Sequence, residues 1–185
     1  MTFQELHKLI LTQEKGKWVN GTSKKGNNGK HFLKFNVNYV NRKRNKYSYY
    51  HPRKDKIFTI SRFAYNSLNS YYKMFFHELV HYTGHPSRLN RGFITKSCEG
   101  KMANVSLIEK AEEELTAEIG AILLCEHFNL KHNLANSILY LRSWKTDNFQ
   151  RHGLKGLNAK RLEGAYNQAV VAVKYILDNN MIERV

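Results

Sequence analysis

The sequence predicts an α+β protein, mostly helical, with a small antiparallel sheet near the N-terminus. Alternation of period two is confined to residues 31–60, and helical spacing of apolar residues dominates from residue 62 onward. Ser/Thr–Glu capping signals open two of the helices. With 185 residues, 42% of them apolar, the chain can bury one sizeable core.

Thr2 and Glu5 form a capping box, and Phe3, Leu6, Leu9 and Ile10 recur at helical spacing, so residues 3–14 are expected to be a short helix. Residues 15–30, rich in Gly, Asn and Lys, form a loop. His31 to Val40 alternate as a strand over 31–41, expected to pair with 46–50 as a hairpin around Asn41–Asn45. Ile57 to Ile60 predict a third strand. A helix follows over 63–83 and stops at Gly84, a natural residue just beyond a helix end, with Pro86 after it. Residues 85–105 form a long loop, a length usually kept for function. Ser106 and Glu109 open the next helix, to about residue 129. Helices over 133–145 and 159–178 complete the set.

The net charge of +15 is unevenly placed. Residues 1–61 hold 14 Lys and Arg against 3 acids, and the rest of the chain is only mildly basic. Trp18, Phe32, Phe35, Tyr39, Tyr47, Tyr49 and Tyr50 interleave with these cations. Cations that neutralise phosphates and rings that stack on bases suit single-stranded nucleic acid. The candidates are Lys15, Lys17, Trp18, Lys24, Lys25, Lys34, Arg42, Lys43, Arg44 and Lys46. The aromatics also suit the buried face of a small sheet, and both uses stay open. The charge divides the chain into a basic segment, 1–56, and a main domain, 57–185. Cys98 and Cys125 cannot build a disulfide framework, so a reducing, cytoplasmic setting is expected. The first residues lack a secretory pattern, and no apolar run approaches a membrane span.

The strongest chemical signal is His77-Glu78-Leu79-Val80-His81, inside the predicted 63–83 helix. A spacing of four puts both imidazoles on one face, where they can share one Zn²⁺, with Glu78 beside them as general base for a water. A chain of this composition would show the pattern by chance about 0.03 times. A catalytic zinc needs one more protein ligand. Histidine at the sixth position after His81, the metzincin solution, fails: Ser87 stands there, His85 comes two residues early, and nothing marks a Met-turn. The other solution is a carboxylate from a later helix, and Glu112 to Glu118 offer several. At 100° per residue the apolar stripe is Ala111, Leu115, Ile119, Ile122 and Leu123. Glu114 and Glu118 flank it, while Glu113 is expected to face solvent. Like charges four residues apart repel unless a cation or histidine compensates them. Glu114 is therefore the expected third ligand, with Glu118 as an acceptor that orients a ligand histidine. His85 and Tyr82 are candidates for the cleft. Arg88 and Arg91 could touch phosphate or an acidic substrate, or clamp the long loop onto a glutamate or a helix C-terminus.

These residues resemble a known family. Tyr71 to Phe76, then HELVHYTGHPSRLNR (77–91), EELTAEIGAILLC (113–125), Tyr140 with Ser143-Trp144, and the Ala165 to Leu177 helix look like the polyvalent-protein metallopeptidase domain of ArdC-type antirestriction proteins. The resemblance covers roughly residues 57–178. It implies a zincin-like fold on phages, plasmids or other mobile elements, with zinc held by His77, His81 and an acid of the EExxAE segment, Glu114 or alternatively Glu118, and Glu78 catalytic. Full-length relatives carry a larger N-terminal domain for single-stranded DNA, which the first 56 residues do not match. The expected function is a zinc-dependent metallopeptidase with a DNA-associated antirestriction role. The alternatives are a single-stranded-DNA-binding antidefence or element-maintenance protein with a structural zinc, and a SprT-like protease acting on DNA-bound protein.

Overall fold

A computed structural model describes residues 1–12, 33–42, 46–101, 105–150 and 159–184. Along the chain run α1 (Phe3–Thr12), β1 (Leu33–Phe35), β2 (Tyr39–Asn41), β3 (Tyr49–His51), β4 (Lys56–Thr59) and α2 (Leu68–Thr83). Then come α3 (Gly92–Cys98), α4 (Leu107–His127), α5 (Leu134–Gln150), α6 (Ala159–Asp178) and β5 (Ile182–Arg184). The fold is α+β, as the sequence predicts. Both capping boxes form: Thr2 with Glu5 before α1, and Ser106 with Glu109 before α4. Ser67 caps α2, so that helix begins five residues later than its apolar pattern suggests.

Helix α4 lies between two hydrophobic clusters. Ala117, Ala121, Leu124 and Cys125 face the strands and α2, packing with Ile57, Tyr72, Phe76 and Leu79. Ala111, Leu115, Ile119 and Ile122 face α1, α5 and α6, packing with Leu6, Ile138, Leu162 and Ala169. Gly120 lets α4 come close to α2: a Cβ there would lie 2.6 Å from Val80 Cγ2. Gly84 serves a similar end, with a φ of −76° that any residue adopts. A Cβ there would sit 2.8 Å from Ile94 Cγ1 and 2.9 Å from Arg91 Nη2, so close approach, not turn geometry, requires the glycine.

The strands depart from the expected hairpin. Asn36 breaks the predicted 31–41 strand by donating its backbone N–H to Met181 O and its side-chain amide to Asn180 O. β1 accordingly pairs antiparallel with β5, a strand the sequence reading missed, Phe35 opposite Ile182. The chain then returns as β2, parallel to β4, and crosses over to place β3 antiparallel on the other side of β4. The three-stranded sheet is therefore mixed, β4 is its middle strand, and the edge at the cleft belongs to β3. The long loop is also partly regular, since residues 92–98 form α3. No helix among the described residues is long and apolar enough to cross a membrane.

Candidate metal centre

Helix α2 brings His77, Glu78 and His81 into the core, all under 10% exposed. Helix α4 answers with Glu113, Glu114 and Glu118 on the arc that faces α2. His77 Nε2 and His81 Nε2 lie 3.2 Å apart, and Glu114 Oε2 lies 3.5 Å from the first and 3.9 Å from the second. Three donors bound about 2.0–2.2 Å from one tetrahedral zinc would stand about 3.3–3.6 Å from each other. The donor set suits a divalent ion in sign as well. Four carboxylates, Glu78, Glu113, Glu114 and Glu118, gather here, with Lys73 paired to Glu118 and Arg91 to Glu113. Burial opposes a charge on His77, yet hydrogen bonds to Glu114 and Glu118 hold its pKa up at about 10. A buried imidazole that keeps a proton this firmly marks a place where positive charge belongs.

Each histidine also has a carboxylate behind it. His77 Nδ1 is 3.2 Å from Glu118 Oε2, and His81 Nδ1 is 2.9 Å from Glu113 Oε1. Hydrogen bonds of this kind orient the rings with Nε2 inward and, once an ion displaces the proton there, leave that nitrogen as the ligand atom. Burial would raise the carboxyls of Glu114 and Glu118, but His77 and His81 at the first, and Lys73 and His77 at the second, hold both at about 2. Tyr140 on α5 donates its hydroxyl to Glu114 Oε2 at 2.8 Å.

Glu78 points the other way, and its Oε2 accepts the backbone N–H of Tyr50 on β3 at 2.8 Å. Burial raises its pKa, while the two histidines and the Tyr50 amide pull it down, and burial wins. A carboxylate with raised pKa accepts a proton more readily, which suits a general base. The site opens into a cleft of about 920 Å³. Tyr47 just before β3, Tyr49 on it, Phe93 and Ile94 from α3, Met74 from α2, and Tyr140 line much of it.

Residues 30–147 match the zincin-like metallopeptidase family. The chain belongs to that family. Its zincin-like domain resembles the solved structures of the antirestriction protein ArdC from plasmid R388. The metal-free ArdC structure aligns with a TM-score of 0.56 at 26% identity, over 77% of this chain and 46% of ArdC. The Mn(II)-bound one gives 0.58 at 26% identity, over 78% and 48%. Two DNA primases TraC from Escherichia coli are 34% and 33% identical over 98 residues, 52% of this chain. The chain thus spans under half of ArdC, and the match to the TraC primases takes in 8% and 6% of their length.

The structure brings His77, Glu78, His81, Glu114 and Glu118 together. Tyr82 and His85 lie off the cleft wall: Tyr82 carries the Arg88 guanidinium 3.6 Å above its ring, and His85 Nδ1 accepts the Ser87 amide. Arg88 also grips Asp55 and Tyr82 O, anchoring the loop as its sequence position suggests. Of the basic candidates, Lys34 is exposed and faces Glu183, Arg42 covers Phe58 at 4.4 Å, and Lys46 stands on the cleft rim. Lys15, Lys17, Trp18, Lys24, Lys25, Lys43 and Arg44 lie outside the described residues. One expectation needs correcting. Glu113 is buried, 3% exposed, because α4 is enclosed on several sides and not only along one apolar stripe. Arg91 is its partner, likewise buried. The signal for Glu113 was the run Ala117, Gly120, Ala121 and Leu124, whose small residues mark a second, closely packed face sharing its side of the helix.

Proposed function

We propose that the protein is a zinc-dependent metallopeptidase encoded by a mobile element, with His77, His81 and Glu114 as ligands. The convergence of those three donors beside a buried Glu78 carries the reading. When bound, the ion supplies a Lewis acid that polarises a scissile carbonyl and acidifies a water. Glu78 accepts the proton of the attacking water and passes it to the leaving amine. The Tyr50 amide fixes one Glu78 oxygen and leaves the other free. Glu118 and Glu113 hold the two imidazoles with Nε2 inward. An extended peptide would lie along β3, the sheet edge on the cleft.

The likeness to ArdC and the basic first third of the chain support a DNA-associated antirestriction role. They also support a second reading, in which single-stranded DNA binding is the activity and the metal is structural. Purified protein should hold about one zinc, and His77→Ala and Glu114→Ala should each lose it. Metal kept by both variants would sink the ligand assignment. Glu78→Gln should keep zinc and lose cleavage of fluorescent casein. Single-strand affinity that falls steeply with salt and survives Glu78→Gln, without any cleavage by wild type, would favour the second reading.

A further inference from the structure

We infer that Glu113 and Arg91 are positioning residues of the metal centre, a clamp that fixes His81 in the orientation and tautomer that aim its Nε2 at His77 and Glu114. The inference rests on the metal reading above and adds to it two residues from different elements.

Arg91, just before α3, is 9% exposed, and Glu113 is 3% exposed. Arg91 Nε donates to Glu113 Oε2 at 2.8 Å and Nη2 to Oε1 at 2.7 Å, a two-pronged contact that fixes the plane of the carboxylate. Only the guanidinium fork offers this geometry; a lysine ammonium does not. The same guanidinium donates to Val80 O at 2.6 Å and to Thr83 Oγ1 at 2.8 Å, both in the last turn of α2. Arg91 thereby ties the carboxylate and the turn that carries His81 to one rigid group. Glu113 Oε1 then takes His81 Nδ1 at 2.9 Å. With Nδ1 committed as donor, Nε2 is left as a lone pair, and what lies near it is His77 Nε2 at 3.2 Å and Glu114 Oε2 at 3.9 Å. That atom is shaped to bind a cation.

Stability alone is a weak reason for such a pair. Buried ion pairs can often be exchanged for apolar residues without loss. Here the pair stands beside a histidine whose Nδ1 meets Glu113 at 2.9 Å, and Gly84 leaves room for the guanidinium, since a Cβ would meet Nη2 at 2.9 Å. The helix α4 glutamates therefore divide the work: Glu114 faces both Nε2 atoms, Glu118 backs His77, and Glu113 backs His81.

Zinc affinity, measured by competition with a chromogenic chelator on the full chain, tests the clamp, with circular dichroism on the metal-free proteins as the folding control. Glu113→Gln keeps size and one acceptor oxygen but loses the charge and the fork. Arg91→Lys keeps the charge and loses the fork. Each should fold and bind zinc about 10–100-fold more weakly than wild type. Affinity within about twofold of wild type in either folded variant would overturn the inference, even if that variant melted at a lower temperature, because a merely structural pair moves stability and not affinity. Should both fail to fold, Thr83→Val removes one Arg91 acceptor without stranding a charge. It should weaken zinc about threefold or more, and an unchanged value would overturn the clamp. Wild type that binds no zinc would fail earlier, and would remove the metal reading itself.

Discussion

Behind His77 stand Glu118 and Lys73; behind His81 stand Glu113 and Arg91. The chemistry is the same, an imidazole backed by a carboxylate backed by a cation, but the surroundings differ. The Lys73 side chain keeps 22% of its surface open to the cleft, whereas Arg91 keeps 8% and Glu113 3%. Water or a ligand can replace Lys73. Nothing can replace Arg91 without opening the core. One arm of the centre is therefore adjustable from the cleft, and the other is built into the packing of α2, α3 and α4.

The largest test of this difference is Arg91→Leu, which strands Glu113 in the closed arm. It should destabilise the metal-free protein by about 3–5 kcal/mol in urea unfolding. A loss under about 1 kcal/mol would mean that water already reaches this arm. Gly120→Ala comes next, since its methyl would meet Val80 on the α2 surface that both arms share. Overpacking of this kind costs about 1–3 kcal/mol, and an unchanged midpoint would show that the helices can move apart freely. Lys73→Gln should cost only about 1 kcal/mol, because cleft water takes over its contact with Glu118. A loss equal to that of Arg91→Leu would make the arms equivalent.

The smallest effect is in the acid limb. Burial opposes the charge on Glu113, but Arg91 and His81 overcome it and hold its carboxyl below the ordinary value of 4.5. A carboxyl depressed by folding adds stability that is fully present above that ordinary value and is lost as pH falls through the folded one. Metal-free wild type should therefore lose stability as pH drops below about 4.5, and Arg91→Leu, lacking the main cause at Glu113, should show a shallower slope. Equal slopes would remove Arg91 as the cause.

How far the sequence reveals this molecule follows the range of the interactions. The helix starts at Thr2 and Ser106 are written in residues three apart, and the two imidazoles of α2 in residues four apart, so both were legible. Strand partners were not. Phe35 pairs with Ile182 because Asn36 finds acceptors near residue 180, a contact with no local signature. Glu113 was misplaced for a related reason. A helical wheel with one apolar stripe assumes one covered face, and α4 has covered faces towards α2 as well as towards α6. The basic stretch was legible as composition only, and much of it falls outside the described residues.

The close contact between Gly120 and Val80 has a thermodynamic consequence. All the imidazoles of the centre ride on α2 and all its ligand and backing carboxylates on α4, so no half of it exists until these two helices dock. An ion that binds the docked pair and not the separated helices must favour docking by mass action. Above saturation, each tenfold rise in free ion adds about 1.4 kcal/mol to that contact. If the site holds an ion as proposed, occupancy and tertiary structure become two readings of one equilibrium, and free metal becomes part of what keeps the two helices docked.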